Sequence, residues 1–308
     1  MDLDTIASRA AIGDPRERPS RLAKAGLLER LRPGVYLDAE AWAKLGEAER
    51  HLARMAAARH VLGDRTVFSH ESAAVALGIP VLGGLPTRPC VLVEPGGSKS
   101  SGLVRRVHRD RGDGVLRRAS GFLIPAVSQV VVDLAASRTP LAAVVAVSHA
   151  RRRLGLPLGV LQAQLGLDRP RRGARSVERA LVESTDLSDS VLETLTLVRI
   201  RDLGFAEPEQ QREVSAGGRR YRVDFAWEDG EIVLEVDGRV KYEDPDLLGE
   251  RSGAAALWGE KRRADAILSS VRRLVRATWS EVWEGHELER RLLAAGVPRA
   301  RRPRPLTR

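Results

Sequence analysis

Residues 221–242 read YRVDFAWEDGEIVLEVDGRVKY, and the fold of the C-terminal half turns on how they pair. Asp229-Gly230 suits a two-residue type I′ turn, because both central positions take φ > 0. That turn sets Glu228 opposite Glu231, Trp227 opposite Ile232, Phe225 opposite Leu234 and Val223 opposite Val236, giving one continuous apolar face. The other face sets Asp224 opposite Glu235 and Arg222 opposite Asp237. Like charges directly opposed are destabilising. Arg222 can neutralise Asp237, but nothing in the hairpin neutralises Asp224 with Glu235. Either that pair is a solvated acidic surface or it waits for a cation. Hard oxygen ligands with no Cys or His near them in sequence favour Mg²⁺ or Mn²⁺ over zinc, with Asp224 and Glu235 as the metal ligands.

Two flanking helical patterns add candidates. In SDSVLETL, Glu193 lies beside the apolar stripe Leu192, Leu195, Val198 and can be directed at the sheet. Downstream, Lys261 falls on the stripe Leu257, Lys261, Ala264, Leu268, Val271, where an ammonium either snorkels out or meets a buried negative charge. Glu193, Asp224, Glu235, Asp237 and Lys261 therefore form the candidate catalytic set.

The chain has 308 residues, with 51 Lys plus Arg against 41 Asp plus Glu and a formal net charge of +10. Such an excess favours a polyanionic partner, of which a phosphate backbone is the commonest. The single Cys90 excludes a disulfide framework and a Cys-rich zinc module, and fits a reducing cytoplasm. MDLDTIASRAAIGD lacks a basic, then apolar, leader pattern, and no stretch approaches a membrane span, so a cytoplasmic protein without membrane contact is expected.

The pattern along the chain predicts an α+β protein in parts: residues 1–40, a middle α+β region over 41–166, a basic linker over 167–175, a C-terminal α/β domain over 176–296, and a disordered Pro- and Arg-rich tail over 297–308. In 1–40, PSRLAKAGLLERLRPGVYLD gives a short helix ending at Gly26, then strand, RPG turn and strand. It resembles the recognition helix and wing of a winged helix-turn-helix. That likeness implies double-stranded DNA as partner, with Arg21 and Lys24 exposed on the helix, Arg30 and Arg32 gripping phosphates from the wing, and Arg16 and Arg18 adding to the basic cluster. Ser69, His70 and Glu71 in FSHES are adjacent and point apart, which argues against a triad.

The order helix with Glu193, strand with Asp224, strand with EVD, helix with EKRR, then strand RRLVRATW resembles the restriction-endonuclease-like PD-(D/E)XK fold, nearest its very-short-patch-repair-like branch. The resemblance covers roughly residues 176–296. It implies that Asp224 and Glu235 are metal ligands, with Glu193 as the helix carboxylate and Mg²⁺ polarising a phosphate. Asp237 stands where that motif usually has Lys; Lys241 or Lys261 can fill the position in space, or Asp237 is an extra ligand. RPGVYLD, FSHESAAVALGIP and VVVDLAA, in that order, resemble AbiEi-type antitoxins of type IV toxin–antitoxin systems. That family implies a DNA-binding transcriptional regulator with a cognate toxin as second partner; the alternative is a Mg²⁺-dependent DNA endonuclease or nickase.

Overall fold

The computed structural model describes residues 19–32, 34–93, 102–108, 115–237, 263, 265–302 and 306. It is a mixed α+β chain. Two compact units divide it, residues 1–146 with 156–178 and residues 147–155 with 179–308. Residues 19–40 and the middle region thus share the first unit.

In the first unit, helix α1 (Pro19–Lys24) leads through Gly26 into strand β1 (Leu28–Arg32), which pairs antiparallel with β2 (Val35–Asp38). This helix-then-hairpin order is the one expected from the sequence. The Asp38 carboxylate accepts from the Ala41 amide at 2.8 Å and so starts helix α2 (Ala39–Lys44). Arg32 departs from expectation. It turns back to helix α3 (Glu47–Leu62), where its guanidinium donates to the Ala57 carbonyl at 3.2 Å, and desolvation lowers its pKa. A guanidinium so engaged is poorly placed to grip phosphate.

A five-stranded sheet forms the core of this unit, from β3 (Val67–Phe68), β4 (Cys90–Val93), β5 (Arg105–His108), β6 (Arg117–Ala119) and β7 (Phe122–Ile124), in the order β5-β4-β3-β7-β6. Helices α4 (His70–Ala76) and α5 (Val127–Ser137) pack together, with α4 also against β4. FSHES is split at Ser69, the residue before α4. Ser69, Ser72 and Glu71 are all buried in a polar network and form no triad: His51 meets the Ser72 hydroxyl at 2.8 Å, the Cys90 amide donates to that same hydroxyl at 2.8 Å, and Glu71 lies between Arg105 and Arg138. Desolvation lowers the His51 pKa, so the ring is held neutral.

Helix α6 (Pro140–Arg153) runs through both units, its last residues belonging to the second, and α7 (Leu158–Leu167) returns to the first. The stretch expected as a linker, 167–175, is a short turn between α7 and the next helix that approaches α5 closely at Gly173. Gly173 there has φ +77°, and a Cβ added to it would stand 2.0 Å from the Ala136 carbonyl oxygen. Only glycine fits so close an approach. Helix α8 (Ala174–Glu183) follows at once.

The second unit is built on a four-stranded sheet of β8 (Glu209–Ala216), β9 (Arg219–Trp227), β10 (Ile232–Asp237) and β11 (Arg273–Thr278), in the order β11-β10-β9-β8. The β9–β10 register is the one the Asp229-Gly230 turn dictates: Trp227 pairs Ile232, Ala226 pairs Val233 and Phe225 pairs Leu234. Asp229 has φ 58° and Gly230 φ 94°, and the Glu231 amide donates to the Glu228 carbonyl at 3.1 Å to close the turn. The pairing stops after Leu234, where the Asp224 carboxylate accepts the Val236 amide at 2.8 Å. The opposed pair Arg222 and Asp237 therefore does not form. Both faces near the turn are buried: Phe225, Trp227, Ile232 and Leu234 on one, Ala226 and Val233 on the other, the latter packed with Val214 and Ile267. Helix α9 (Val191–Asp202) packs against β10 and against α10 (Trp279–Glu284), and α11 (His286–Ala295) packs along β11.

Residues 297–300 and 306, expected in a solvated arm, are docked. Val297 and Leu306 are buried, the Ala206 amide donates to the Pro298 carbonyl at 2.8 Å, and the Leu306 amide donates to the Asp202 carboxylate. Arg299 lies over the Phe205 ring, 4.2 Å from its centroid. Basic, proline-rich composition hid two apolar anchors and a cation–π contact.

Candidate functional site

The candidate carboxylates converge where β9 and β10 part. The gap opened by the Asp224–Val236 bond is one wall of a cavity of about 790 Å³, lined by Arg152, Arg153, Asp189, Glu193, Gln211, Arg222, Asp224, Glu235, Asp237, Arg263 and Arg276, with Ser190 and Val236. Glu193, Asp224 and Glu235 come from α9, β9 and β10, as the sequence pattern implied. Arg16, Arg18 and Lys261, with Lys241, lie outside the described residues.

Each carboxylate has its own environment. Ser190 caps α9, and Glu193 in the first turn is only 7% exposed. One Glu193 oxygen accepts from the Asp189 amide at 2.8 Å and from the Gln211 amide at 2.7 Å, while the other accepts from the Ser190 hydroxyl at 2.8 Å. Gln211 reaches it because its backbone, φ 55°, departs from the extended form between the pairs Gln210–Phe225 and Arg212–Val223. Glu235, 8% exposed, accepts from Arg263 at 2.6 Å, and Arg276 stands 3.7 Å from its second oxygen. Asp224 is half-buried. Desolvation, set against the Val236 hydrogen bond and reinforced by the charges of Glu193 and Glu235, pushes its carboxyl up to about 6.

The cation beside Glu235 in this structure is an arginine. Arg263 lies one helical turn before Ile267, which is fully buried against the sheet, whereas Leu268 is exposed. Ile267 is thus the inward position where the expected stripe had placed Leu268. Arg222, expected opposite Asp237, instead donates to Asp189 at 2.6 Å, and Asp237 is exposed. Arg152 donates to the other Asp189 oxygen at 2.8 Å, and Arg153 to the Asp189 carbonyl at 2.6 Å. No local pattern joins Arg152 to Asp189 and Arg222; the run of three arginines closing α6 was the available signal.

A divalent cation needs carboxylate oxygens left open to it. Here Glu193 accepts three hydrogen bonds and Glu235 is ion-paired. Among the described residues no three Asp, Glu, His or Cys side chains are grouped to hold a metal ion. In this arrangement a magnesium ion would have to displace Arg263 from Glu235. The arginines suit an anion: Arg222 and Arg276 leave 56% and 49% of their side chains exposed.

In the first unit, the exposed basic residues of the helix and hairpin are Arg21, Lys24 and Arg30. No helix among the described residues is long and apolar enough to cross a membrane. Set beside known proteins, the chain matches no family model and no curated sequence.

Proposed function

We propose that the chain is a DNA-binding transcriptional regulator of AbiEi-antitoxin type, in which a winged helix at residues 19–38 reads duplex DNA and a restriction-endonuclease-like second unit supplies phosphate affinity. The observation that carries this reading is the convergence of five arginines, Arg152, Arg153, Arg222, Arg263 and Arg276, on one cavity. Bidentate guanidinium contacts suit phosphate oxygens, and Asp189 orients Arg152 and Arg222 while Glu235 orients Arg263, with Arg276 3.7 Å away, before DNA arrives. The formal charge of +10 supports a polyanionic partner. A cognate toxin protein is the second partner this family resemblance suggests.

Phosphate contacts release counterions, so affinity must fall steeply with salt. Duplex binding by the full chain, followed from about 50 to 200 mM salt, should drop by orders of magnitude. Arg222→Ala with Arg276→Ala should flatten that dependence by about two contacts. A flat salt response in the wild type removes the proposal.

A Mg²⁺-dependent nuclease or nickase is the second reading, favoured by Asp224 held between Glu193 and Glu235 with its carboxyl pushed up to about 6. Metal binding would require Arg263 to yield Glu235. Supercoiled plasmid titrated with Mg²⁺ decides between the two. Nicking that disappears in Asp224→Ala establishes the enzyme, and intact plasmid at every concentration leaves the regulator.

A further inference from the structure

Strand β11 ends its sheet, and among the described residues no strand pairs with its outer side. The ladder fixes which backbone groups face that side. The Arg273 amide donates to the Glu231 carbonyl at 3.0 Å, inward across the β10–β11 pairing. Successive residues of a strand turn their N–H and C=O to opposite sides, so Leu274 and Arg276 present theirs outward. The Arg276 carbonyl bears this out, accepting from Arg291 of α11 at 2.6 Å.

A hollow of about 310 Å³ lies between this edge and α11. It touches four consecutive strand residues, 273–276, whose side chains leave alternate faces of the sheet, so it follows the edge and not one face. Four residues of strand span about 13 Å, room for a matching length of added strand. Leu274, Val275, Ala294 and Ala295 supply apolar walls. Every charged side chain among its described lining is an arginine: Arg273, Arg276, Arg290 and Arg291. The carboxylates near them lie outside the lining. Glu281 and Glu287 hold Arg291, Glu287 also holds Arg290, and Glu235 is shared by Arg276 with the nearer Arg263. Arg273 is exposed and donates to the Arg272 carbonyl, and Arg290 keeps 69% of its side chain exposed despite its pairing.

We infer that β11 and α11 form a docking groove for an acidic, extended segment of a partner protein, which joins the sheet as a strand beside β11. An extended peptide brings its own alternating N–H and C=O groups, which match an outward-facing strand edge, and recesses beside the edge take its alternate side chains. The all-arginine charge of the lining selects acidic side chains over basic ones. Nucleic acid would satisfy the arginines, but its backbone has no row of N–H donors for the Leu274 carbonyl and gains nothing from aliphatic walls. Charges on a strand edge serve in many proteins only to prevent edge-to-edge pairing. That task needs no hollow with apolar walls beside the strand. On docking, Arg291 yields the Arg276 carbonyl to a peptide amide. The inference does not depend on what the larger cavity binds.

The probe is a labelled peptide of alternating glutamate and valine, offered to the full chain and followed by fluorescence anisotropy. Two companions share its length: one with lysine in place of glutamate, and one with proline in place of valine, which keeps the charge but removes half of the backbone donors. The chain is used as wild type, as Arg273→Glu/Arg290→Glu and as Ala294→Trp, which fills the hollow from an exposed position. The wild type should bind the glutamate–valine peptide, and both variants should bind it about tenfold or more weakly. The lysine and proline peptides should bind the wild type at least tenfold more weakly than the glutamate–valine peptide does. No binding by the wild type overturns the inference, as does a proline peptide that binds equally well, which would reduce the contact to charge alone. Ala294→Trp binding as tightly as the wild type also overturns it. So does duplex DNA affinity that falls in Arg273→Glu/Arg290→Glu while peptide binding holds, because the groove would then take nucleic acid.

Discussion

At the scale of single residues, Asp224 is the most perturbed group in the cavity. Its carboxyl moves from 3.8 to about 6, so the folded chain holds that proton more tightly than the unfolded chain does. The resulting stability is complete below about pH 4 and is lost as the pH rises through 6. Near pH 7.5 the ionised group stands against Glu193 and Glu235 without sufficient relief. Asp224→Asn removes the charge and keeps an oxygen for the Val236 amide. It should stabilise the chain by roughly 2 kcal/mol at pH 7.5 and by almost nothing at pH 4, read from urea midpoints. Equal midpoints at both pH values would sink this account. Glu235→Gln should act in the opposite sense, because it strands Arg263 and Arg276 beside a neutral amide; its cost, about 1–3 kcal/mol, should persist at pH 7.5. The acidic members of this site were legible in the sequence because a turn dipeptide fixed their register. The basic members were not: Arg263 sits two residues from the lysine that a shifted stripe selected, and Arg152 meets Asp189 only through tertiary folding.

At the scale of elements, local chemistry decided what could be read. The β9–β10 hairpin announced itself through alternation and Asp-Gly, and β4, α5, α6, α9 and β11 through apolar runs or helical period. Strand β8, Glu209–Ala216, carries mostly polar side chains and forms because β9 offers a full edge, so no pattern marked it. Helix α8 begins at Ala174, within the arginine-rich stretch expected as a linker. That stretch is testable through Gly173. A methyl there collides with the Ala136 carbonyl, whereas at Gly217, also at positive φ, it meets nothing within 4 Å. Gly173→Ala should destabilise by more than about 2 kcal/mol and Gly217→Ala by about 1 kcal/mol, the penalty of left-handed backbone alone. Similar thermal shifts for the two variants would mean that the turn at 167–175 relaxes and is not packed.

For the whole molecule, charge and connectivity set the behaviour. A net charge of +10 gives long-range attraction to polyanions, yet among the described residues most arginines of the second unit already lie in ion pairs with carboxylates, so the attraction is tempered locally. The C-terminal residues have a practical bearing on how the protein is made. A clone ending at Gly296, where α11 stops and the composition turns basic, would look like a tidy boundary. It would strip away Val297 and Leu306, both buried, together with the Arg299 lid on Phe205. Loss of two aliphatic plugs is worth about 3 kcal/mol, enough to send such a shortened product toward inclusion bodies while the full chain stays dispersed. Affinity handles fused after Arg308 inherit the same hazard, since they hang two residues from a side chain that works as a cork.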